Sequence, residues 1–170
     1  EELNEDIHSK MADIYYNKNQ FDSSLFYYKE YLELYPEGKF ADKAYYHIGK
    51  ILKGKNEYER AITEFLKVIH LFKNSIYAPD SQFEIGNIYE LNNEILQAIS
   101  EYDKVVQGYP KSPNADEALY NIAKIYDKNE KYRDFAVAVK KYIMLIDKYP
   151  NSKHRGSSAD RVKKIKEDYL

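Results

Sequence analysis

The side chains best suited to chemistry in this chain are its four histidines, which stand apart from one another. They are His8, His47, His70 and His154. None has a second histidine four residues away, the spacing that places two imidazoles on one helix face. The chain has no cysteine, which excludes thiol chemistry and cysteine-ligated metals. It also lacks a glycine-rich phosphate loop and a nucleophile elbow. We therefore predict no catalytic site, no metal site and no cofactor, and expect a protein that is not an enzyme.

The charge balance narrows the classes of partner. The 26 basic and 28 acidic residues give a net charge of −2, which favours neither nucleic acid nor an anionic membrane. No stretch approaches the roughly 18 apolar residues that a spanning helix needs. The first residue is Glu1 rather than Met, so we expect a start or targeting segment to have been removed. A link to a membrane would then depend on that missing N-terminal anchor.

The C-terminal end is locally basic. Its basic side chains are Lys153, His154, Arg155, Arg161, Lys163, Lys164 and Lys166. This pattern is typical of a soluble cap. Contact with an acidic partner or with lipid headgroups is the alternative.

The most organised feature of the chain is a repeat with a spacing of 37 residues. Ile48-Gly49 returns as Ile85-Gly86, and the related pairs Met11-Ala12 and Ile122-Ala123 stand at the same spacing on either side. Self-similarity at one period of about 20–50 residues is the signature of a repeat architecture.

Each repeat predicts two amphipathic helices joined by a polar turn. Tyr45, Ile48, Gly49 and Leu52 stand at i, i+3, i+4 and i+7, which is one helical face. The predicted first helices are Glu5–Lys18, Phe40–Gly54, Tyr77–Leu91 and Asn114–Asp127, and the second helices are Phe21–Tyr35, Glu57–Phe72, Glu94–Tyr109 and Lys131–Tyr149. We expect one domain over residues 1–170, with repeats over 5–36, 40–73, 77–110 and 114–150 and a capping helix over 158–169.

Small residues recur in the middle of these helices and need a physical reason. Glycine in a helix interior costs about 1 kcal/mol relative to alanine. Gly49 and Gly86 nevertheless lie there, and Ala61 and Ala98 are their small counterparts on the second helices. We attribute them to close approach of the paired helices, where a larger side chain would overpack by ~1–3 kcal/mol.

The end of the chain departs from the repeat in two ways. Three extra residues lie between Tyr132 and Ala138, and we expect them to lengthen the second helix of the fourth repeat by nearly a turn. A polar linker, Asn151–Ser157, then precedes the predicted cap. The expected apolar stripe of that cap is Ala159, Val162, Ile165 and Tyr169.

The spacing inside each repeat resembles the tetratricopeptide repeat (TPR). An apolar–small pair such as Ile85-Gly86 is followed by a small residue, Ala98, and an aromatic, Tyr102, on the second helix, and a proline, Pro110, closes it. The resemblance covers nearly the whole chain. It implies an all-α fold: a right-handed superhelical solenoid of four helix-turn-helix repeats plus a C-terminal capping helix.

The connections between repeats are similar to those of bacterial envelope TPR proteins. Tyr109-Pro-Lys-Ser-Pro-Asn-Ala115 and Tyr35-Pro-Glu-Gly-Lys-Phe-Ala41 share the pattern Tyr-Pro-x-Ser-x-x-Ala, with glycine for serine in the second. Two families fit: the BamD-type outer-membrane assembly lipoproteins and the periplasmic TPR protein that works with the Tol-Pal system. The lipidated cysteine of the first and the coiled coil of the second are not in this sequence. The resemblance therefore implies a periplasmic or outer-membrane-associated scaffold, without deciding between the families.

The TPR resemblance implies that the first helices line a concave groove in which partners bind. Tyr46, Phe83 and Tyr120 would then form an aromatic row, extended by Tyr16. The polar positions beside them are Asp13, Lys50, Asn87 and Lys124. A docking groove uses such aromatics flanked by polar groups. The alternative is that these rings pack on the second helix of their own repeat. The Lys and Asn pattern that clamps a C-terminal carboxylate in some TPR cochaperones is absent, since Ser9 and Phe83 hold its lysine positions.

We therefore expect a non-catalytic protein–protein interaction scaffold of cell-envelope assembly or maintenance. Its partner would be a peptide or helix, for example from an outer-membrane assembly or Tol-Pal component, and a second copy of the chain is another candidate occupant. The alternatives are a cytoplasmic TPR adaptor and a regulatory or targeting domain of a larger enzyme.

Overall fold

The computed structural model describes residues 2–169, with side chains from residue 4. Glu1 and Leu170, the ends of the predicted domain, lie outside the described residues. The helices are α1 (Glu2–Asn17), α2 (Phe21–Leu34), α3 (Ala41–Gly54), α4 (Tyr58–Leu71), α5 (Ala78–Leu91), α6 (Ile95–Gly108), α7 (Ala115–Lys128), α8 (Phe135–Lys148) and α9 (Arg155–Tyr169). No strand occurs within residues 2–169. The prediction of an all-α chain of helical hairpins is confirmed.

The chain divides into two compact units. The first, Glu1–Glu84, contains α1 to α4 and the start of α5, and the second, Ile85–Leu170, contains the rest of α5 and α6 to α9. In the first unit α1 packs on α2 and α3 packs on both α2 and α4. In the second unit α7 packs on α6 and α8, and α9 packs on α8.

The three short turns inside the hairpins share one backbone conformation. Asn19, Asn56 and Asn93 occupy the left-handed region with φ of 58°, 60° and 60°. Asparagine tolerates this conformation better than most residues that carry a side chain. The turn then closes on a backbone hydrogen bond, for example from the Glu57 amide to the Leu52 carbonyl at 2.9 Å. The 37-residue period is therefore a period of turn geometry as well as of apolar faces.

The fourth hairpin corrects one prediction. The three extra residues do not lengthen the second helix, because α8 has 14 residues like α2, α4 and α6. They enlarge the turn before it. The Asp134 amide still bonds the Tyr126 carbonyl at 2.7 Å, and the Asp134 side chain caps α8 by accepting from the Val137 amide at 3.0 Å. The cap fixes where α8 begins, so the insertion is absorbed in the loop.

The mid-helix glycines mark close helix approach, as predicted. A Cβ at Gly49 would lie 2.7 Å from the Phe65 ring, and one at Gly86 would lie 2.7 Å from the Tyr102 ring. Both distances are too short for a real carbon contact. In the first hairpin the Ser24 hydroxyl instead bonds the Ala12 carbonyl at 3.0 Å.

Three of the linkers that follow second helices share one hydrogen-bonding arrangement, which is built in two ways. Ser75 and Ser152 accept the amide of the residue two positions on, Tyr77 and His154, at 3.0 and 3.1 Å. The first linker has glycine at this position. There the Tyr31 hydroxyl accepts the equivalent amide, that of Phe40, at 2.9 Å. A Cβ at Gly38 would collide with that hydroxyl, so glycine and tyrosine replace serine as a pair.

The last helix begins earlier than predicted and turns a different stripe inward. It starts at Arg155 rather than Ser158. Ser158 and Ile165 are buried, whereas Ala159 is exposed and Tyr169 is 56% exposed. Ser158 rather than Ala159 lies on the buried face. The sequence did not predict this because the helix has few apolar residues, and their spacing does not define which side is buried.

Candidate functional site

All seven predicted binding residues lie on first helices and are half-buried. They are Tyr16 on α1, Tyr46 and Lys50 on α3, Phe83 and Asn87 on α5, and Tyr120 and Lys124 on α7. Four of them, at positions 16, 46, 50 and 83, belong to the first unit, and the other three belong to the second. In each unit we call these positions the first-helix face.

Two of the seven residues, Tyr16 and Lys50, line one pocket of the first unit. It has a volume of about 140 Å³. Its lining residues are Tyr16, Phe21, Lys50, Ile51, Gly54 and Lys55. Its wall is largely apolar, with two lysines at its edge. The Tyr16 ring meets Phe21 edge-on, with centroids 5.7 Å apart.

The Tyr46 ring is held on two sides within the first unit. It stacks on Tyr77 with centroids 5.0 Å apart and an interplanar angle of 25°. It also contacts Phe65 of its own second helix at 6.0 Å. Burial, followed by the charges of Asp80 and Glu84, raises the pKa of its hydroxyl. Packing on the second helix of the repeat therefore accounts for part of this ring, and the rest of it is accessible.

His47, which sequence reasoning took as unremarkable, is the centre of an aromatic cluster. Its ring is parallel to Tyr28 at 5.4 Å and edge-on to Tyr16 at 4.5 Å and to Tyr46 at 5.3 Å. Burial lowers the pKa of His47 to about 4, against the opposing charge of Asp13. The imidazole is therefore neutral at pH 7.

Lysine–carboxylate pairs join the first helices of the first unit. Lys50 and Lys53 on α3 bond the two carboxylate oxygens of Glu84 on α5, at 2.9 and 2.5 Å. Burial alone would raise the pKa of Glu84, but the hydrogen bonds from Lys53 and Lys50 outweigh it and leave the pKa lowered. Burial and the charge of Glu84 raise the pKa of its neighbour Asp80.

A second polar junction joins α1 to the helices beside it. Asp13 accepts a hydrogen bond of 2.6 Å from the Tyr28 hydroxyl on α2 and pairs with Lys43 on α3. In the second unit Asn87 has the equivalent role, since its amide oxygen accepts from the Tyr102 hydroxyl at 2.7 Å. Lys50 and Asn87, two of the polar positions of the first-helix face, thus already hold helices together.

Tyr120 repeats the arrangement of Tyr46 with a different partner. Its ring stacks on His154 with centroids 4.0 Å apart and an angle of 9°, and it contacts Tyr142 of its own second helix at 6.0 Å. His154 occupies the same repeat position as Tyr77, once the three inserted residues of the fourth repeat are counted. Burial lowers the pKa of His154, and Lys124 is among the charges that act on it.

Two models of known protein families match this chain. A model of the YfiO outer membrane lipoprotein family matches residues 47–169, and a tetratricopeptide repeat model matches residues 6–37. The first match covers well over half of the chain. The chain belongs to the YfiO outer membrane lipoprotein family. Comparison with curated proteins gives no match.

Several solved structures, TPR proteins among them, are similar to this member of the YfiO family. A TPR protein from Parabacteroides merdae superposes with a TM-score of 0.76 at 13% identity, over 97% of this chain and 61% of that chain. MamA superposes with a TM-score of 0.68 at 23% identity, over 85% and 78% of the two chains. YrrB, a TPR protein with an unusual peptide-binding site, superposes with a TM-score of 0.64 at 18% identity, over 95% and 77%. The chain therefore has the TPR solenoid fold, the architecture of protein-interaction scaffolds. It spans about three fifths of the Parabacteroides protein.

A buried ion pair in the second unit also escaped sequence reasoning. Asp127, whose side chain is fully buried at the end of α7, is clamped by Arg161 of α9 at 2.8 and 2.5 Å. The Tyr142 hydroxyl donates to the same carboxylate at 3.3 Å. The hydrogen bonds that Arg161 donates to Asp127 raise the pKa of the Arg161 guanidinium. The sequence signal for the role of Asp127 is its distance from the tyrosine of the second helix. Asp127 stands fifteen residues before Tyr142, as Asp13 stands before Tyr28 and Asn87 before Tyr102, whereas Lys124 does not have this spacing.

Metal-ligand clusters and membrane-spanning helices are both absent from the described residues. Among residues 2–169, no group of three or more His, Asp or Glu side chains is placed to hold a metal ion. No helix in that range is both long and apolar enough to cross a membrane.

Proposed function

We propose that this protein is a non-catalytic protein–protein interaction scaffold of the bacterial cell envelope. The partner segment docks on the first-helix face at Tyr16, Tyr46, Phe83 and Tyr120, with Lys50, Asn87 and Lys124 as its polar contacts. Membership of the YfiO outer membrane lipoprotein family supports the envelope location. The TPR architecture supports the scaffold role.

The observation that carries this proposal is the pocket shared by Tyr16 and Lys50. A volume of about 140 Å³ suits one apolar side chain of a bound segment. A buried apolar anchor in such a pocket supplies much of the binding energy of a typical interface. Lys50 and Lys55 stand at its edge, where they already pair with Glu84 and Asp22. The apolar wall therefore carries the recognition, and the partner is a segment with an apolar anchor.

The half-buried rings have a second role in this proposal. Tyr46 and Tyr120 are already stacked on Tyr77 and His154, so they offer a ring edge in a fixed orientation. A side chain that is ordered before binding loses little conformational entropy when the partner arrives. The rings act as pre-positioned contacts along the face.

Site-specific photo-crosslinking in the native cell tests the scaffold and its location together. The crosslinker replaces Phe83 or Tyr120 in turn, with Phe26 as the matched control. Phe26 is 61% exposed on second helix α2, away from the first-helix face. We expect adducts to envelope proteins from positions 83 and 120 and none from position 26. Adducts to cytoplasmic proteins alone, or equal adducts from position 26, would contradict the proposal.

A pocket-filling variant tests the anchor. A Cβ at Gly54 meets no atom within 4 Å, and the equivalent position of the next repeat holds Leu91. Gly54→Leu therefore fills the pocket without disturbing the helices. We expect partner affinity to fall at least tenfold with an unchanged melting temperature. Gly108→Leu, at an equally open position, is the control and should change neither quantity.

A further inference from the structure

His47 is the titratable group at the centre of the aromatic cluster of the first unit. Its ring is parallel to Tyr28 of α2 at 5.4 Å and edge-on to Tyr77, in the linker before α5, at 6.2 Å. It is also edge-on to Tyr16 of α1 at 4.5 Å. Tyr16 is one wall of the pocket that it shares with Lys50. A movement of the His47 ring therefore removes a contact that supports this wall.

The position of the His47 ring suits a neutral imidazole and not a charged one. Its Nδ1 atom is buried and has no hydrogen-bond partner within the described residues. A neutral imidazole leaves one nitrogen without a hydrogen, so Nδ1 stays in the cluster as a bare acceptor. A protonated imidazole carries a hydrogen on both nitrogens. One of its N–H groups would then be a buried donor without an acceptor, which is unfavourable.

The charged groups around His47 also oppose a positive charge on its ring. Lys43 and Lys50 stand four residues before it and three residues after it on α3, which is the spacing of one helix face. The opposing carboxylate is Asp13 of α1. It already accepts a hydrogen bond of 2.6 Å from the Tyr28 hydroxyl and pairs with Lys43. Protonation would therefore place a third cation beside two lysines.

The other titratable neighbours do not remove this effect. Asp80 and Glu84 of α5 act on the adjacent Tyr46 ring, and Glu84 bonds Lys50 at 2.9 Å. Phenol hydroxyls are uncharged at acidic pH, so the surrounding tyrosines supply no counter-charge. Burial, assisted by the two lysines of α3 and opposed by Asp13, lowers the pKa of His47 to about 4.

We propose that His47 is a pH-sensitive switch of the first unit: when it takes a proton, its ring leaves the aromatic cluster and the Tyr16 wall of the pocket opens. Acid would then release a segment bound in that pocket. This release rests on the proposed function, whereas the opening of the pocket does not.

The switch belongs to the first unit and has no counterpart at the same position of the second. The positions equivalent to His47 hold Lys10, Glu84 and Asn121. Asn121, on α7 of the second unit, does not titrate. The histidine of the second unit that stacks on a first-helix ring is His154. Burial lowers its pKa, but the carboxylates of Glu117 and Asp116 oppose this effect. We therefore expect acid to open the first unit before the second.

Hydrogen–deuterium exchange of the full chain at pH 7 and pH 4.5, corrected for the intrinsic exchange rate, tests the opening without any partner. A histidine in the opened state titrates near ~6.5, so the opened state binds the proton first and acid favours it. We expect protection around Tyr16 and His47 to fall at least tenfold at pH 4.5, and protection in α7 and α8 to fall less than threefold. An equal fall in both units would overturn the proposal, because acid would then unfold the whole chain.

Two substitutions isolate the contribution of His47. His47→Phe keeps an aromatic ring without a titratable group, and His47→Asn introduces the residue that stands at position 121. Both variants should keep at pH 4.5 the protection that they have at pH 7. His70→Gln, at an exposed position of α4, is the control and should respond as the parent chain does. A loss of protection in His47→Phe or His47→Asn as large as that of the parent would overturn the proposal.

Photo-crosslinking from position 83 in lysates buffered at pH 7 and pH 4.5 tests the release separately. The adduct yield should fall at least fivefold at pH 4.5 in the parent chain and stay constant in His47→Phe. An equal fall in both would overturn the release by His47. Absence of adducts at either pH would contradict the proposed function, while the exchange experiment would still decide whether the pocket opens.

Discussion

The two units build the same junction from different side chains. In the first unit Tyr46 stacks on Tyr77, and in the second Tyr120 stacks on His154 at the equivalent positions. The first helices of the first unit are joined by partly exposed lysine pairs such as Lys50–Glu84, whereas the second unit ends in a pair whose carboxylate is fully buried. The repeat therefore fixes where contacts occur, and residue identity decides how each responds to mutation and pH.

The largest expected difference between the units lies in their ion pairs. Arg161→Ala leaves the Asp127 carboxylate buried without its cation, and removing one partner of a buried pair costs about 3–5 kcal/mol. Lys50→Ala in the first unit leaves Glu84 bonded to Lys53 and should cost less than half as much. Urea denaturation of both variants measures the difference.

The control for this comparison is Arg155→Ala, since Arg155 is exposed on the same helix as Arg161. It should change the unfolding free energy by less than ~0.5 kcal/mol. Equal losses for Arg155→Ala and Arg161→Ala would mean that the buried pair does not fasten α9.

The two histidines should differ in how they make stability depend on pH. The pKa of His47 is lowered to about 4 in the fold, whereas an unfolded histidine titrates near ~6.5. As pH falls through that window the unfolded chain binds a proton before the folded chain does. Stability present above pH ~6.5 is therefore lost toward pH 4, by about 3 kcal/mol.

The His47→Phe variant should lose less stability than the parent over this window. Denaturation curves at a series of pH values measure the difference. His154→Phe should flatten the curve by a smaller amount, because burial lowers the pKa of His154 less than that of His47. His70→Gln, at an exposed position of α4, should leave it unchanged. A parent curve that stays level from pH 6.5 to 4 would refute the account of His47.

The mid-helix glycines should respond alike in the two units. Gly49→Leu and Gly86→Leu each force a side chain into an aromatic ring of the paired helix, with a cost of ~1–3 kcal/mol. Gly108→Ala meets no neighbour and serves as the control. Melting temperatures measure all three. An unchanged melting temperature in Gly86→Leu would contradict the close helix approach.

The smallest expected effect concerns the linkers. Ser75→Ala removes the acceptor for the Tyr77 amide and a donor to Asp42. Tyr31→Phe removes the equivalent acceptor for the Phe40 amide and a donor to Glu5. Each should cost about 1–2 kcal/mol, because each loses two hydrogen bonds of modest net value. If Tyr31→Phe costs nothing in a denaturation experiment, the hydroxyl of Tyr31 does not replace that of Ser75.

The hairpins were predictable from sequence because their determinants are local and recur. The apolar face around Ile48 and the glycine opposite Phe65 are visible in the spacing alone. The location of the three-residue insertion was not predictable from sequence. Three residues fit a helix or a turn equally well, and the Asp134 cap selects the turn.

The candidate site was only partly predictable for a related reason. Sequence spacing placed Tyr16 and Lys50 on first helices, and the structure brings them to one pocket. Glu84, which bonds Lys50 across 34 residues of sequence, has no local signal. Contacts between neighbouring repeats depend on how the helices face each other, and period alone does not give that orientation.

The central claim is that the first-helix face is the working surface. Hydrogen–deuterium exchange of the chain, alone and bound to the partner captured from position 83, tests it most directly. We predict slower exchange on α1, α3, α5 and α7 around the seven candidate residues, with α2, α4 and α6 unchanged. Protection confined to the second helices would contradict the claim.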